Sequence, residues 1–486
     1  MMKPLVAILA GTVLSGLPVL SQQPAAASQP ASKQPAAASQ PASKQPAAAS
    51  QPASKPAVPL VTHGPWLTHA EPTAITIGYV TQPGHGGGVD VRARGTQTWR
   101  RFWHLSAGQV DRSRTQHPIR VTGLQPDTDY EYRLVIANAT GKIVYDSKSK
   151  GQPLAPQVTL VEQPGFTFRT YPAHEAEFTF SVTSDLQFGA AEKAGFLQDY
   201  QRNCGLDKSR FLLIVGDANN EIRSMEGDVL GTILDPLARL GGLSRPTYLV
   251  RGNHEWRGKD TTRWLDFFAA PRTGSTYFSF TCGNTLFIVL DSGEDKPAKP
   301  LTAHYTGNNV DDASFMREQH EWLKATVASQ AFRDAKYRII VCHSAIYSHG
   351  GGYMRQSLNT VCGDLFTKDK PQNRIHLWLA GHTHVYARTI PGDDQRIYRY
   401  PYRGYKVDSG RDFDFTVLTA DGPGGSGKDD INNCLVNVTV TAERLSVSAK
   451  KRDGTTIDAF DVLPDGTCVD HNNDTLEVKR QPANYR

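Results

Sequence analysis

From residue 177 to residue 420 the chain is punctuated by seven short apolar runs: EFTFSVTS (177–184), FLLIV (211–215), PTYLV (246–250), TLFIVL (285–290), YRIIV (337–341), IHLWLA (375–380) and FTVLTA (415–420). They have strand length and are apolar almost throughout instead of alternating, so both their faces must be covered. FMREQHEWLKATV (315–327) falls between two of them, with Phe315, Trp322, Leu323 and Val327 on one helical stripe. Covered strands separated by helices make a layered α/β domain. In such folds ligands meet the chain just beyond the strand ends.

Five of the runs end in polar groups: Asp185-Leu-Gln187, Gly216-Asp217-Ala-Asn-Asn220, Gly252-Asn253-His254-Glu255, His343, and Gly381-His382-Thr-His384. Burying an amide, an imidazole or a carboxylate without a partner costs several kcal/mol. One acidic residue at a strand end is an ordinary loop cap. Two carboxylates, an Asn and three His on one rim are instead a nitrogen- and oxygen-rich ligand set of the kind that holds borderline and hard divalent cations. The donors are too many for one tetrahedral ion and enough for two ions sharing a carboxylate. Glycines at 216, 252 and 381 let the backbone turn sharply and come close.

At these residues the sequence resembles the calcineurin-like metallophosphoesterase superfamily, whose signature runs D-x-H, G-D-x-x-[ND], G-N-H-[ED], H, G-H-x-H. GHTHVYAR (381–388) and HSAIYS (343–348) look like the purple acid phosphatase-like branch, and VTGLQPDTDYEYRL (121–134) looks like its fibronectin-III-like module. LSVSAKKRDGTTIDAFDV (445–462) also matches, so the likeness covers about residues 60–462. The resemblance implies a hydrolase with acid phosphatase activity that cleaves small-molecule phosphate esters by attack of a metal-bound hydroxide. Asp217 would bridge two divalent or trivalent ions (Fe, Mn or Zn). Asp185 and His384 would hold the first ion; Asn253, His343 and His382 would hold the second. His254 would lie beside the phosphate as a non-ligand, donating a proton or stabilising charge. His349, on the loop after His343, either reaches substrate or sits on the surface.

Two positions depart from the pattern. Gln187 stands where most of the superfamily has His, and Asn220 where the purple branch has an iron-binding Tyr. Either amide oxygen could complete the first site as a neutral donor, so the first ion should be held less tightly and the protein should not be purple. Two rival readings use the same residues: a nucleotide or phospholipid phosphodiesterase, and a surface-binding protein that has lost its chemistry. GPGGSGK (422–428) is excluded as a nucleotide loop because Asp429, Asp430 and an alternating strand pattern follow it, where a phosphate loop needs Ser or Thr and a helix.

The rest of the chain sets the context. MMKPLVAILAGTVLSGLPVLSQQ reads as a signal peptide over 1–22, too short and Pro-broken for a permanent membrane span. Three copies of QPAAASQPASK follow (23–33, 34–44, 45–55); with no residue able to build a core they are a disordered linker to residue 59. Residues 60–172 alternate without helical pattern: Ile75, Ile77 and Tyr79 share one face of a run, as do Tyr130, Tyr132, Leu134 and Ile136. They are expected to form an all-β sandwich. The catalytic domain is expected over 173–462, with a tail over 463–486. A formal charge of +5 over 486 residues shows no nucleic-acid patch. Six widely spaced cysteines fit either export-compatible disulfides or buried thiols. The destination is secreted, periplasmic or extracellular.

Overall fold

A computed structural model of the chain describes residues 60–137, 158–296, 311–346, 352–384, 386–389, 397–400, 413–420 and 434–471. The expected signal peptide and linker, Tyr347, His349 and the 422–428 turn lie outside the described residues.

The first nine strands are β1 (Val61–Thr68), β2 (Ala74–Thr81), β3 (Gly86–Ala93), β4 (Arg100–Trp103), β5 (Leu105–Ser106), β6 (Gln109–Val110), β7 (Gln116–Thr122), β8 (Asp129–Ala137) and β9 (Val158–Arg169). They form an antiparallel sheet β1-β2-β7, a second antiparallel sheet β4-β3-β8-β9, and a small ribbon β5-β6. Ile75, Ile77, Tyr79, Tyr130, Tyr132, Leu134 and Ile136 are all buried in the core, as their alternation predicts. The Tyr79 hydroxyl ties the sheets together, accepting from Gly88 N at 2.7 Å and lying 2.8 Å from the carbonyls of Gly88 and Val135. The other face of β2 is buried too. There the Trp66 ring lies against Gly78, where a Cβ would collide with it, and reaches Phe267 and Phe268.

The remaining strands build two seven-stranded mixed sheets. One contains β10 (Phe178–Thr183), β11 (Leu212–Val215), β12 (Thr247–Val250), β20 (Cys434–Val440), β21 (Leu445–Lys451), β22 (Thr456–Val462) and β23 (Cys468–Asp470), in the order β12-β11-β10-β20-β21-β22-β23. The other contains β13 (Phe278–Cys282), β14 (Thr285–Leu290), β15 (Tyr337–Cys342), β16 (Leu377–Ala380), β17 (Tyr386–Thr389), β18 (Ile397–Tyr400) and β19 (Thr416–Thr419), in the order β13-β14-β15-β16-β19-β17-β18. All seven apolar runs are strands, and the stripe at 315–327 lies on the helix Asp312–Val327.

Strand alternation shows why the runs are apolar on both faces. Phe180, Val182, Leu213 and Val215 face Phe287, Val289, Ile339 and Val341 in the core shared by the sheets. Their neighbours Leu212 and Ile214 pack outward with Phe196, Leu197 and Val229. Ile288 and Ile340 pack outward on the other side with Met316, Leu323 and Leu358. The result is helix, sheet, sheet, helix: an α/β fold with a β-sandwich ahead of it. Parallel pairings β10-β11-β12 and β14-β15-β16 bring their C-terminal ends to common rims.

The C-terminal stretch packs at least to residue 471, since β23 pairs with β22 and Arg388 Nη2 donates to Asp470 at 2.9 Å. Tyr386 and Arg388 are structural: both reach Asp458 across the sheets, and all three are fully buried. His376 bridges Pro464 O and Arg338 N. No disulfide joins the six cysteines, five of which are buried. Among the described residues no helix is long and apolar enough to cross a membrane.

Candidate metal centre

Each candidate ligand leaves a strand within a few residues, and several do so in strained backbone. Asp185, Asp217, His382 and His384 have φ of 55°, 50°, 72° and 53°, a region that costs an L-residue about 1–3 kcal/mol and clusters at functional sites. The turns can close because a Cβ at Gly252 would strike Asp217 Oδ1, and one at Gly381 would strike Asp185 Oδ2. Backbone bonds lock the rims together: Asp185 N donates to Gly216 O at 3.0 Å, Gly381 N to His343 O at 2.8 Å, and His382 N to Asp185 Oδ2 at 2.9 Å.

The donors converge. Asp217 Oδ2 lies 3.2 Å from His343 Nε2. Asn253 Oδ1 lies 3.1 Å from His343 Nε2 and 3.0 Å from His382 Nδ1. Ligand atoms of Asp217, His343 and His382 all fall within 4.8 Å of one another. Alongside, His384 Nε2 faces Asp185 Oδ1 at 3.3 Å, an oxygen that is buried without a hydrogen bond. Gln187 reaches the same place, its Nε2 3.0 Å from Asp217 Oδ2. Asn220 differs from the rest: the residue is exposed and enters through its backbone carbonyl, which lies 2.6 Å from His254 Nδ1.

The chemistry of this set fits cations. His343 Nδ1 bonds to the Val215 carbonyl at 2.8 Å, so Nδ1 carries a hydrogen and the neutral ring's lone pair is on Nε2. That lone pair faces Asn253 Oδ1 and Asp217 Oδ2, oxygens that have none but lone pairs to offer. Electron-pair donors packed about 3 Å apart call for a proton or a cation between them. Burial opposes a proton on His343, yet Asp217 and Asp185 together raise it to about 10, while burial and His343 lower His382 to about 4. A proton at Nε2 is one way to supply that charge; a divalent cation, which such nitrogen and oxygen donors suit, is another.

Glu255 is no part of the ligand set. Its Oε2 accepts from Gly252 N at 2.8 Å and Asp217 N at 2.9 Å, and its Oε1 from Ala218 N at 2.8 Å. Ordinary protein satisfies the carboxylate; only the amide and imidazole of GNHE face the ion position. His254 N donates to Asp217 Oδ1 at 2.9 Å, and His254 Nε2 stands 3.8 Å from Asp217 Oδ2.

Several contributors were not singled out from sequence. The fourth run also ends in acids, Asp291, Glu294 and Asp295, a signal equal in kind to the other five. Asp291 accepts from Trp256 Nε1 at 3.0 Å and Thr276 Oγ1 at 2.7 Å, bracing the turn after β12. Arg257 pairs with Glu294 at 2.6 and 2.9 Å and with Asp295 at 2.7 Å, and its Nη1 lies 2.9 Å from His254 Nε2. Buried Lys193 bonds to Asn219, pinning the turn that carries Asp217; no spacing rule points to it.

Residues 178–386 match the family model described as calcineurin-like phosphoesterase. Among solved structures, the chain is similar to purple acid phosphatase PPD1 from yellow lupin (Lupinus luteus), with a TM-score of 0.54, 13% identity, and coverage of 82% of this chain and 74% of that one. It is similar also to PhoD, with a TM-score of 0.52, 13% identity, and coverage of 85% of this chain and 92% of that one. At such identity these likenesses concern fold. No curated protein sequence matches.

Proposed function

We propose, with residues 178–386 a calcineurin-like phosphoesterase domain and the chain therefore a metal-dependent phosphoesterase, that it is an exported dimetal enzyme hydrolysing phosphate esters at the rim described above. The observation that carries this reading is the convergence of the Asp217, Asn253, His343 and His382 side-chain donor atoms on one buried point.

In this reading Asp217 contributes to both ion positions. Asp185 and His384 hold the first, completed by the neutral amides of Gln187 or Asn220; Asn253, His343 and His382 hold the second. Two ions so held would supply Lewis-acid neutralisation of a phosphate ester and lower the pKa of water in the site. The chain's own residues do the rest. Glu255 fixes the Asp217 and Gly252 turns through three backbone N–H groups. Asn220 O holds the His254 ring by Nδ1, which leaves Nε2 as the atom turned toward Asp217 Oδ2. With Arg257 Nη1 beside that nitrogen, the His254–Arg257 pair serves to stabilise charge on the departing oxygen. Residues 60–172 act as a fibronectin-III-like module, and residues 1–59 as export signal and linker.

The test is elemental analysis of native protein together with assays on p-nitrophenyl phosphate and bis-p-nitrophenyl phosphate. Two ions per chain and metal-dependent turnover of either ester are expected. Two ions without turnover would leave a binding protein; no stoichiometric metal would overturn the reading.

A further inference from the structure

The turn Asp217-Ala-Asn-Asn220 is held residue by residue. Glu255 accepts from Asp217 N at 2.9 Å and from Ala218 N at 2.8 Å. Lys193 Nζ donates to the Asn219 side chain. The Asn220 carbonyl lies 2.6 Å from His254 Nδ1. Glu255 and His254 are sequence neighbours after β12, so both ends of the turn are tied to one strand end. Of the three partners only Lys193 comes from elsewhere, the helix Ala190–Asp199.

Lys193 is 1% exposed. Burial lowers its pKa to about 8, with Glu255 and Asp228 opposing, so it is an ammonium at neutral pH. Its hydrogen-bond partners among the described residues are two neutral oxygens, Asn219 Oδ1 and, at 3.2 Å, Thr232 Oγ1. An ammonium can only donate, so the Asn219 amide turns its oxygen to Lys193. Thr232 Oγ1 lies 3.4 Å from the same oxygen, but its one hydrogen is turned to the Asp228 carbonyl, which is closer. Asn219 Nδ2 is buried with no partner among the described residues. The charge-assisted bond from Lys193 is therefore the anchor of this side chain.

The Asn220 carbonyl is one residue further on. A carbonyl only accepts, so His254 Nδ1 carries the hydrogen between them and Nε2 is the atom turned toward Asp217 Oδ2. A displaced residue 219 would carry this carbonyl with it, and the ring would lose its aim. Asp217 itself would keep its two backbone bonds to Glu255.

We propose that Lys193 is a positioning residue for His254, acting through the Asn219 side chain and the Asn220 carbonyl. It aligns the ring, while Glu255 secures the carboxylate of the centre. The proposal rests on the reading of His254 as the group that stabilises charge on the departing oxygen.

The test uses full-length protein, elemental analysis, and turnover of p-nitrophenyl phosphate and of phenyl phosphate, whose leaving group is poorer. Lys193→Met removes the ammonium and keeps the length of the stem. It is expected to retain its metal and KM and to lose about tenfold in kcat on phenyl phosphate, part of what a positioned proton donor supplies. The loss on p-nitrophenyl phosphate should be smaller. In a His254→Ala background the same substitution should cost nothing further, because residues that act as a unit are not additive. Equal losses in both backgrounds would make Lys193 a general brace and overturn the proposal. Loss of metal, an equal loss on both esters, or no loss at all would overturn it too. If Lys193→Met does not fold, Asn219→Ala removes the other half of the contact, and the same outcomes decide. A wild-type protein without metal or turnover would instead sink the phosphoesterase reading itself.

Discussion

Glu255 Oε2 accepts from the backbone N–H of Asp217 at 2.9 Å, while Oε1 takes that of Ala218 at 2.8 Å. A carboxylate from one strand end thus holds in place the turn that carries the Asp217 carboxylate of another. Replacing it with Gln keeps the volume but turns one acceptor into a donor facing backbone N–H. Glu255→Gln is expected to cost about 1–3 kcal/mol and to reduce bound metal. Thermal melting with elemental analysis reads both, and full metal occupancy in a folded variant would contradict it.

His254 and Asn253 are neighbours with different tasks. His254→Ala should retain both ions and lose turnover by about 100- to 1000-fold, because its Nε2 faces the site without joining the lone-pair cluster. Asn253→Ala should lose the second ion. A His254→Ala enzyme as fast as wild type on an ester with a poor leaving group would remove His254 from the chemistry.

The two ion positions should separate on chelation. In the proposed centre the first would be completed by the neutral amide of Gln187 or Asn220, where charged or imidazole donors would bind more firmly, and Asn220 is exposed. Stepwise dialysis against a weak chelator is expected to remove one ion before the other, and Gln187→His to narrow the gap. The loaded protein should lack a phenolate-to-iron absorption band in the visible. Simultaneous loss of both ions would argue against unequal sites.

Arg388 and Asp458 form a fully buried ion pair at 2.6 Å joining β17 to β22. Removing Asp458 takes away the buried carboxylate and leaves Asp470, more exposed, as the guanidinium's acidic partner at 2.9 Å, so Asp458→Ala should destabilise by about 3 kcal/mol. Urea unfolding measures it. A loss below about 1 kcal/mol, the range of exposed pairs, would show that solvent reaches the guanidinium.

Acid should weaken the fold through its buried neutral histidines. Burial holds His69, His117 and His376 down to about 4, against an unfolded value of 6.5. Between those values the unfolded chain binds protons that the native protein refuses. Their contribution is fully present above 6.5 and is lost as pH falls toward 4, by up to about 1.4 kcal/mol per pH unit for each group. Urea midpoints at pH 7, 6 and 5 should fall steadily, and His376→Gln should flatten the slope. An unchanged slope would show His376 protonated in the native state.

Much of the candidate site was legible in sequence because its cues are local. Strand ends, turn glycines and donor types sit within a few residues of one another in GDANN, GNHE and GHTH, so their chemistry can be read without knowing what lies opposite. The same local reading passed over the fourth strand end, since Asp291 braces a turn and Glu294 grips Arg257 instead of meeting an ion. Nor did it reveal that the Asn220 backbone carbonyl holds the His254 ring.

By itself, the sequence determined the layered strands, which side of the sheets carries polar groups, and the donor types available there. Apolar runs of strand length must be covered, and buried donors must find partners, whatever the topology. Tertiary structure alone decided which carboxylate joins the donor cluster and which braces it, and that Arg257 stands beside His254. Those outcomes depend on hydrogen-bond directions between segments dozens of residues apart, and direction exists only once the chain has closed.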